Sequence, residues 1–260
     1  MSGVVLKADG VSISFGAVRA LDGVSLAVES GTTLGVVGAN GSGKTTLINV
    51  ISGIYRPTSG SVYYRSVDVT GRRPHHHSRA GLVRTFQHPQ LSRSMSVADN
   101  VLLGSDSRRG AVRWPWRRSA AMGAEEALGM VGTQSYADAL PHETPFGVQR
   151  LVEVARALIS TPLVILLDEP AAGLNSAERD DLARVLEHLR DIHPEIAIVL
   201  IEHDVEFIRR VAHSLLALES GRMIGSGEVA AVLDTSEVRR SLLGKLDQPR
   251  QGGSTDVTSG

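Results

Sequence analysis

The sequence contains no cysteine, which excludes disulfides, thiol chemistry and Cys-ligated zinc and suits a reducing compartment. Aromatic residues are scarce, at 4% of 260 positions, so one placed near a motif carries weight. Neither sign of charge is in excess: 27 basic against 28 acidic side chains give a net charge of −1. No global field draws such a chain to nucleic acid, and none is expected as a partner. No apolar run reaches the roughly twenty residues of a membrane span. The opening Met1-Ser2-Gly3-Val4-Val5 lacks a basic region followed by a long apolar core. An export signal is therefore not expected, and a soluble, cytoplasmic chain is. The length allows one large domain or a core with a subdomain, and either can bury a sizeable core.

Against these absences stands Gly38-Ala39-Asn40-Gly41-Ser42-Gly43-Lys44-Thr45-Thr46, which fits the phosphate-loop pattern at every fixed position. The apolar run Thr33–Val37 before it reads as a buried strand. Leu47, Ile48 and Ile51 after it fall at helical spacing until Gly53, a helix stop. Strand, glycine loop and helix form the context that separates this motif from an ordinary glycine-rich turn. Glycines let backbone N–H groups turn inward around phosphate oxygens, and the helix N-terminus adds partial positive charge. Lys44 can reach the β- and γ-phosphates, and the Thr45 hydroxyl can hold Mg²⁺.

Residues 4 to 28 contain short β-rich runs, 11–15 and 24–28, broken by glycines. Phe15 is either a stacking platform for an adenine or a core phenylalanine at a strand end. Pro57-Thr58-Ser59-Gly60 makes a turn and Ser61–Tyr64 a strand. His75-His76-His77, with His88, invites a metal reading, but no i, i+4 pairing or nearby carboxylate supports it, and a solvated turn is preferred. Leu82–Phe86 reads as a strand ending at Gln87, a residue able to touch Mg²⁺ or an attacking water. Ser96-Val97-Ala98-Asp99 opens a helix with a capping-box-like pattern. From there little strand-like sequence appears until about residue 162. Residues 88–160 are read as a helical subdomain inserted into a core formed by 1–87 and 161–247. Inside it, residues 108–118 hold five arginines and both tryptophans. That stretch suits anionic lipid headgroups or a partner protein, a solvated loop with locally packed tryptophans, or base stacking.

The apolar run 163–167 reads as a buried strand, expected to set Asp168 and Glu169 at its C-terminal edge, where open α/β sheets bind ligands. Asp168 can hold the Mg²⁺ shell, and Glu169 can orient or deprotonate water. Ser176 is read as the cap of a helix with apolar face Leu182, Val185, Leu186 and Leu189. The run 196–201 reads as another buried strand, ending in Glu202-His203-Asp204. A lone histidine at a strand end is usually structural, but this strand is expected to converge on the same edge, where His203 could reach a γ-phosphate or the attacking water. A strand pair, 215–218 and 223–225, and two short helices follow. Residues 248–260 are polar, Gly/Ser-rich and expected to be disordered.

Phosphate loop, Gln87, the acidic strand end and His203 occur in this order at spacings that resemble the ATP-binding subunits of ABC transporters, over roughly residues 4 to 246. The resemblance implies an α/β fold: a phosphate-loop NTPase core with an antiparallel β subdomain and an inserted α-helical subdomain. It implies ATP and Mg²⁺ as ligands, with Phe15 and Val18 at the adenine and residues 38–46 on the phosphates. Gln87 becomes the sensor of Mg²⁺ and permease, and His203 the switch histidine. Val83–His88, Asp168–Asn175 and Ile201–Asp204 look like the LivG type, ATPases of branched-chain amino acid importers, with urea, amide and other small-solute importers as alternatives. The implied partners are integral-membrane permease subunits, a second ABC ATPase and a solute-binding protein. The implied location is cytoplasmic, peripheral on the inner face of the cell membrane.

One stretch departs from the family. Where Leu-Ser-x-Gly-Gln is expected, the chain has Thr144-Pro145-Phe146-Gly147-Val148. In the family this signature faces the phosphate loop of a second cassette, and its serine offers a hydroxyl and an N–H to the γ-phosphate. Pro145 has neither, though proline is tolerated at a helix start and the next N–H groups can still point at phosphate. A heterodimer with unequal sites is the expectation. Asn175, where the superfamily usually has Asp, is a smaller departure. A soluble ABC ATPase of DNA repair or translation would bring coiled-coil insertions or tandem cassettes, and neither heptads nor repeats occur. A phosphate-loop kinase would leave His203 and Gln87 unexplained. The resemblance therefore favours a transport ATPase.

Overall fold

The computed structural model describes residues 3–85, 89–108 and 122–243. In chain order, β1 (Val4–Phe15) and β2 (Val18–Glu29) form a hairpin, and β3 (Thr33–Gly38) leads into α1 (Lys44–Ile51). Then come β4 (Ser59–Tyr64), β5 (Val67–Asp68), α2 (Pro74–Arg79) and β6 (Leu82–Arg84). Among the described residues 97–159 there are helices and no strand: α3 (Val97–Leu102), α4 (Ala124–Met130), α5 (Phe146–Ile159) and short 3-10 turns. Beyond lie β7 (Val164–Asp168), α6 (Ser176–Ile192), β8 (Ala197–Ile201), α7 (Val205–Val211), β9 (Ser214–Glu219), β10 (Arg222–Glu228), α8 (Val229–Asp234) and α9 (Ser236–Leu243).

The strands form two sheets. One is antiparallel, in the order β2-β1-β4-β5; the other has the order β10-β9-β3-β8-β7-β6 and is parallel apart from the β9–β10 pair. Strand periodicity sorts the core between the faces of the larger sheet. Val164, Leu166, Ala197, Val199 and Ile201 pack toward α1 and the antiparallel sheet. Ile165, Leu167, Ile198 and Leu200 face α5 and α6. A strand buried on both faces reads as a continuous apolar run, which is why β7 and β8 are conspicuous in the sequence.

Two sequence expectations need correction. Residues 4 to 28 are two twelve-residue strands, not short runs broken by glycine. Gly10 (φ 58°) and Gly23 (φ 66°) sit at register shifts, and their N–H groups donate to Ser25 Oγ and Ser12 Oγ, both at 2.8 Å. A bulge absorbs the glycine, and a cross-strand hydroxyl satisfies the displaced N–H, so pairing continues. The cap of α6 is Asn175, not Ser176: Asn175 Oδ1 accepts from Glu178 N (3.0 Å), and Glu178 Oε2 accepts from Asn175 N (3.0 Å). Only Asn175 has the acid three residues on that completes the reciprocal box. The expected Ser96 cap of α3 is present, accepting from Asp99 N.

Candidate nucleotide site

β3, β7 and β8 run parallel and end together, bringing the phosphate loop, Asp168-Glu169 and His203 to one edge of the sheet. The loop follows β3 at Gly38 and ends at Gly43, a left-handed N-cap (φ 107°). No side chain caps α1 and no acid occupies its first turn, so its positive end is left to an incoming anion. Two glycines are obligatory. A Cβ on Gly38 (φ 150°) would collide with the Leu218 carbonyl and Ser42 Oγ; one on Gly43 would lie 2.8 Å from the Ala20 carbonyl oxygen. Ser42 Oγ is buried with no hydrogen-bond partner among the described residues. Lys44 is 8% exposed, and its ammonium donates to the Gly38 and Ala39 carbonyls at 2.7 and 3.0 Å, drawing the loop around it. Asn40, Gly41 and Thr45 are exposed, Ala39 and Thr46 half-buried. A glycine cradle, an orphan hydroxyl, an ammonium and an uncapped helix end fit a polyphosphate.

The β1–β2 hairpin abuts this loop through Ala20. Phe15 is 48% exposed and makes an edge contact with Tyr55 (centroids 5.2 Å), and Val18 beside it is 67% exposed. The alternative of a core phenylalanine is therefore wrong: Phe15 lies on the open side of the hairpin.

At the acidic edge, Asp168 Oδ2 accepts from Arg84 Nη2 at 3.0 Å, and Arg84 Nη1 donates to Asn49 Oδ1 at 2.6 Å. Glu169 has a positive φ (48°), unusual for a residue with a Cβ, and its N–H is held by the Ile201 carbonyl at 3.0 Å. His203 is exposed, its Nδ1 3.9 Å from Glu202 Oε2. Glu202 itself is buried. Its two oxygens accept from Ala171 N (2.7 Å) and His203 N (3.2 Å), bracing the loop after Glu169 against the His203 turn. Burial pushes the Glu202 carboxyl above the usual range, opposed by those N–H groups. Thr45 and Asp168 are hard oxygen donors of the kind Mg²⁺ takes alongside phosphate oxygens.

The degenerate stretch is built differently. Thr144 is buried, donating to the Pro141 carbonyl at 2.8 Å. Pro145 is the N-cap of α5, and Phe146 the first helical residue, its ring 5.3 Å from the Arg150 guanidinium carbon. The N–H of Gly147 does not stand open: it donates to Glu178 Oε1 of the same chain at 3.2 Å. Val148 is half-buried.

Gln87 lies outside the described residues, as do His88, residues 109–118 of the Arg/Trp stretch and residues 248–260. The histidine run is not a solvated turn but part of α2. His77 is 1% exposed, edge-on to Tyr64 (centroids 5.6 Å), and desolvation lowers its pKa. Its ring fills the space a Cβ on Gly53 would need. No group of three His, Cys, Asp or Glu among the described residues could hold a metal. Three residues that sequence reading left without a role are Arg84, Glu178 and Glu202. An acid directly before His203, and an arginine in an otherwise apolar strand, were the available signals.

The family described as "ABC transporter" matches residues 21–172. The high-affinity branched-chain amino acid transport ATP-binding protein BraF of Pseudomonas aeruginosa is 32% identical over 94% of this chain and 100% of its own length. LivG of Escherichia coli, with the corresponding name, is 31% identical over the same shares. Among solved structures, an ATP-binding cassette of an ABC transporter in its ADP conformation superposes with a TM-score of 0.80 at 31% identity, covering 94% of this chain and 99% of that one. The family match takes in the whole run from phosphate loop to acidic strand end, and the geometry found there is that of a nucleotide cradle; the chain belongs to the ABC transporter family, as one of its ATP-hydrolysing cassettes.

Proposed function

We propose that this cassette powers uptake of branched-chain amino acids through a separate integral-membrane permease. The names of BraF and LivG, matched along nearly the whole chain, support the substrate class. The observation that carries the catalytic assignment is the convergence of phosphate loop, Glu169 and His203 on one sheet edge. In this reading residues 38–46 bind the phosphates, with Lys44 exchanging its loop carbonyls for phosphate oxygens. Phe15 and Val18 cover the adenine. Thr45, Asp168 and Gln87 would hold Mg²⁺, which when bound would supply positive charge to the phosphate oxygens. Glu169 takes the proton of the attacking water, and His203, steadied by Glu202, donates a hydrogen bond to the γ-phosphate.

Residues 1–87 and 161–247 would form the catalytic core and 88–160 the inserted helical part. A groove of about 520 Å³ lies between them, lined by Val83, Gln90, Leu103 and Arg156 among others, and is the seat for the permease. Gln90 is clamped there from both ends of its peptide: its N–H donates to Glu153 Oε1 (3.0 Å) and its carbonyl accepts from Arg156 Nη1 (2.6 Å). Movement of the segment after Gln87 would thus be felt by α5. No described helix is long and apolar enough to cross a membrane. Attachment through a permease places the cassette peripherally, on the cytoplasmic face of the cell membrane. The second ATPase is a different chain, because Pro145 and the Glu178-capped Gly147 make a poor partner for another molecule's γ-phosphate. A solute-binding protein would deliver the substrate.

The test is to tag this chain in its native cell, extract membranes in mild detergent and identify what remains bound. Permease subunits with a second cassette, reconstituted to take up leucine or valine, are expected. Uptake of urea or an amide would reassign the solute, and recovery of soluble proteins or ribosomes alone would refute the transport role.

A further inference from the structure

The acid assigned to the metal already has a cation. Arg84, at the end of β6, spans from Asp168 on β7 to Asn49 on α1, one helical turn beyond Thr45. Asp168 and Arg84 side chains are only 13% and 15% exposed, so this pair is screened far less than a surface one. Arg84 takes the Oδ2 oxygen of Asp168. Two carboxylates, Asp168 and Glu169, are adjacent here, with buried Glu202 close enough to Glu169 to feel its charge. Such a concentration of negative charge attracts divalent cations on its own.

We propose that Arg84 is a resident cation that neutralises Asp168 in the nucleotide-free cassette and makes divalent-metal entry conditional on the nucleotide's phosphates. The inference rests on Asp168 being the metal acid, as proposed above. A permanent guanidinium weakens a metal's attraction to the same carboxylate by charge repulsion, and only the added negative charge of the phosphates reverses the balance. Asn49 anchors the guanidinium from the phosphate-loop helix, so the helix that binds the phosphates also holds the cation. Arg84 is a positioning residue: it acts through Asp168.

The experiment titrates Mn²⁺ into the purified cassette without nucleotide, reading free Mn²⁺ by electron paramagnetic resonance. R84Q is expected to bind Mn²⁺ about tenfold more tightly than wild type, the effect of one removed charge at short range. R84K, which keeps the charge, stays near wild type. N49A, which leaves both charges in place, frees the guanidinium from its anchor and guards against a poorly folded R84Q, shows a smaller gain. Unchanged or weaker Mn²⁺ binding in R84Q and N49A overturns the proposal while leaving Asp168 as metal acid. A gain that survives in the R84Q/D168N double variant shows that Asp168 is not the metal acid, and overturns both.

Discussion

Two helix N-termini in this molecule, those of α1 and α5, are finished in opposite ways. At α1 no side chain caps the helix, no acid lies in the first turn, and glycines at 38 and 43 keep the backbone where a Cβ could not fit. At α5 the residue before the helix is Pro145, with no N–H to give, and the Gly147 N–H is already taken by the Glu178 carboxylate. Both ends carry the same helix dipole. What separates them is how many donors remain available: α1 keeps its first N–H groups uncapped, whereas at α5 the chain itself takes the Gly147 N–H and proline removes another. Glu178 closes that end with the same side chain that caps α6, so the closed end is part of the fold.

Substitutions should break this contrast in graded steps. The largest effect is expected at the open end's chemistry: Glu169→Gln should leave ATP binding intact and lower turnover by about 10²–10⁴-fold, the usual worth of a general base. Wild-type turnover in that variant would remove Glu169 from the mechanism. Next comes Lys44→Ala, which removes charge-assisted hydrogen bonds worth ~1.5–3 kcal/mol and should weaken nucleotide binding about ten- to a hundredfold. Equilibrium binding of a fluorescent ATP analogue would read it. At the closed end, Glu178→Gln keeps a side chain able to cap α6 while removing the negative charge, and Pro145→Ser restores a hydroxyl and an N–H. Together they should raise turnover at the partner cassette's site a few-fold, in line with the ~0.3–1 kcal/mol of a charge at a helix end. No gain in the reconstituted complex would mean that α5 is not closed in the way its hydrogen bonds indicate.

The smallest effect is a pH dependence of stability. Burial raises the Glu202 carboxyl above its unfolded value, so the folded state holds its proton more tightly. The group is without cost below the unfolded carboxylate range and becomes destabilising as pH rises through its folded pKa. Glutamine does not titrate. The unfolding temperature of wild type relative to Glu202→Gln should therefore rise as pH falls toward the ordinary carboxylate range. A difference independent of pH would show that Glu202 does not titrate differently on folding.

The geometry of the open end was readable in the sequence because it is written in local residue types: glycines, Lys44 and Thr45 at fixed offsets, flanked by a strand and a helix. β7 and β8 were readable for a related reason, since a doubly buried parallel strand has no polar face to interrupt its apolar run. The closed end was only half legible. Pro145 announced a missing donor, but Glu178 lies 31 residues from Gly147, and the reciprocal box with Asn175 that aims it was passed over for Ser176. Arg84 and Asp168 are 84 residues apart, and only adjacent parallel strands bring them together. Glycines at 10 and 23 were misread because a bulge and a strand break look alike until the cross-strand serines that rescue the bulge are seen. His77 was misread because its burial depends on the space left by Gly53.

The most direct test of the contrast is a rapid-quench measurement on the complex of this cassette with its partner, both sites filled with radiolabelled ATP. The account predicts a fast phase that consumes one of the two bound nucleotides, abolished by Glu169→Gln in this chain. A fast phase consuming both nucleotides equally would contradict it.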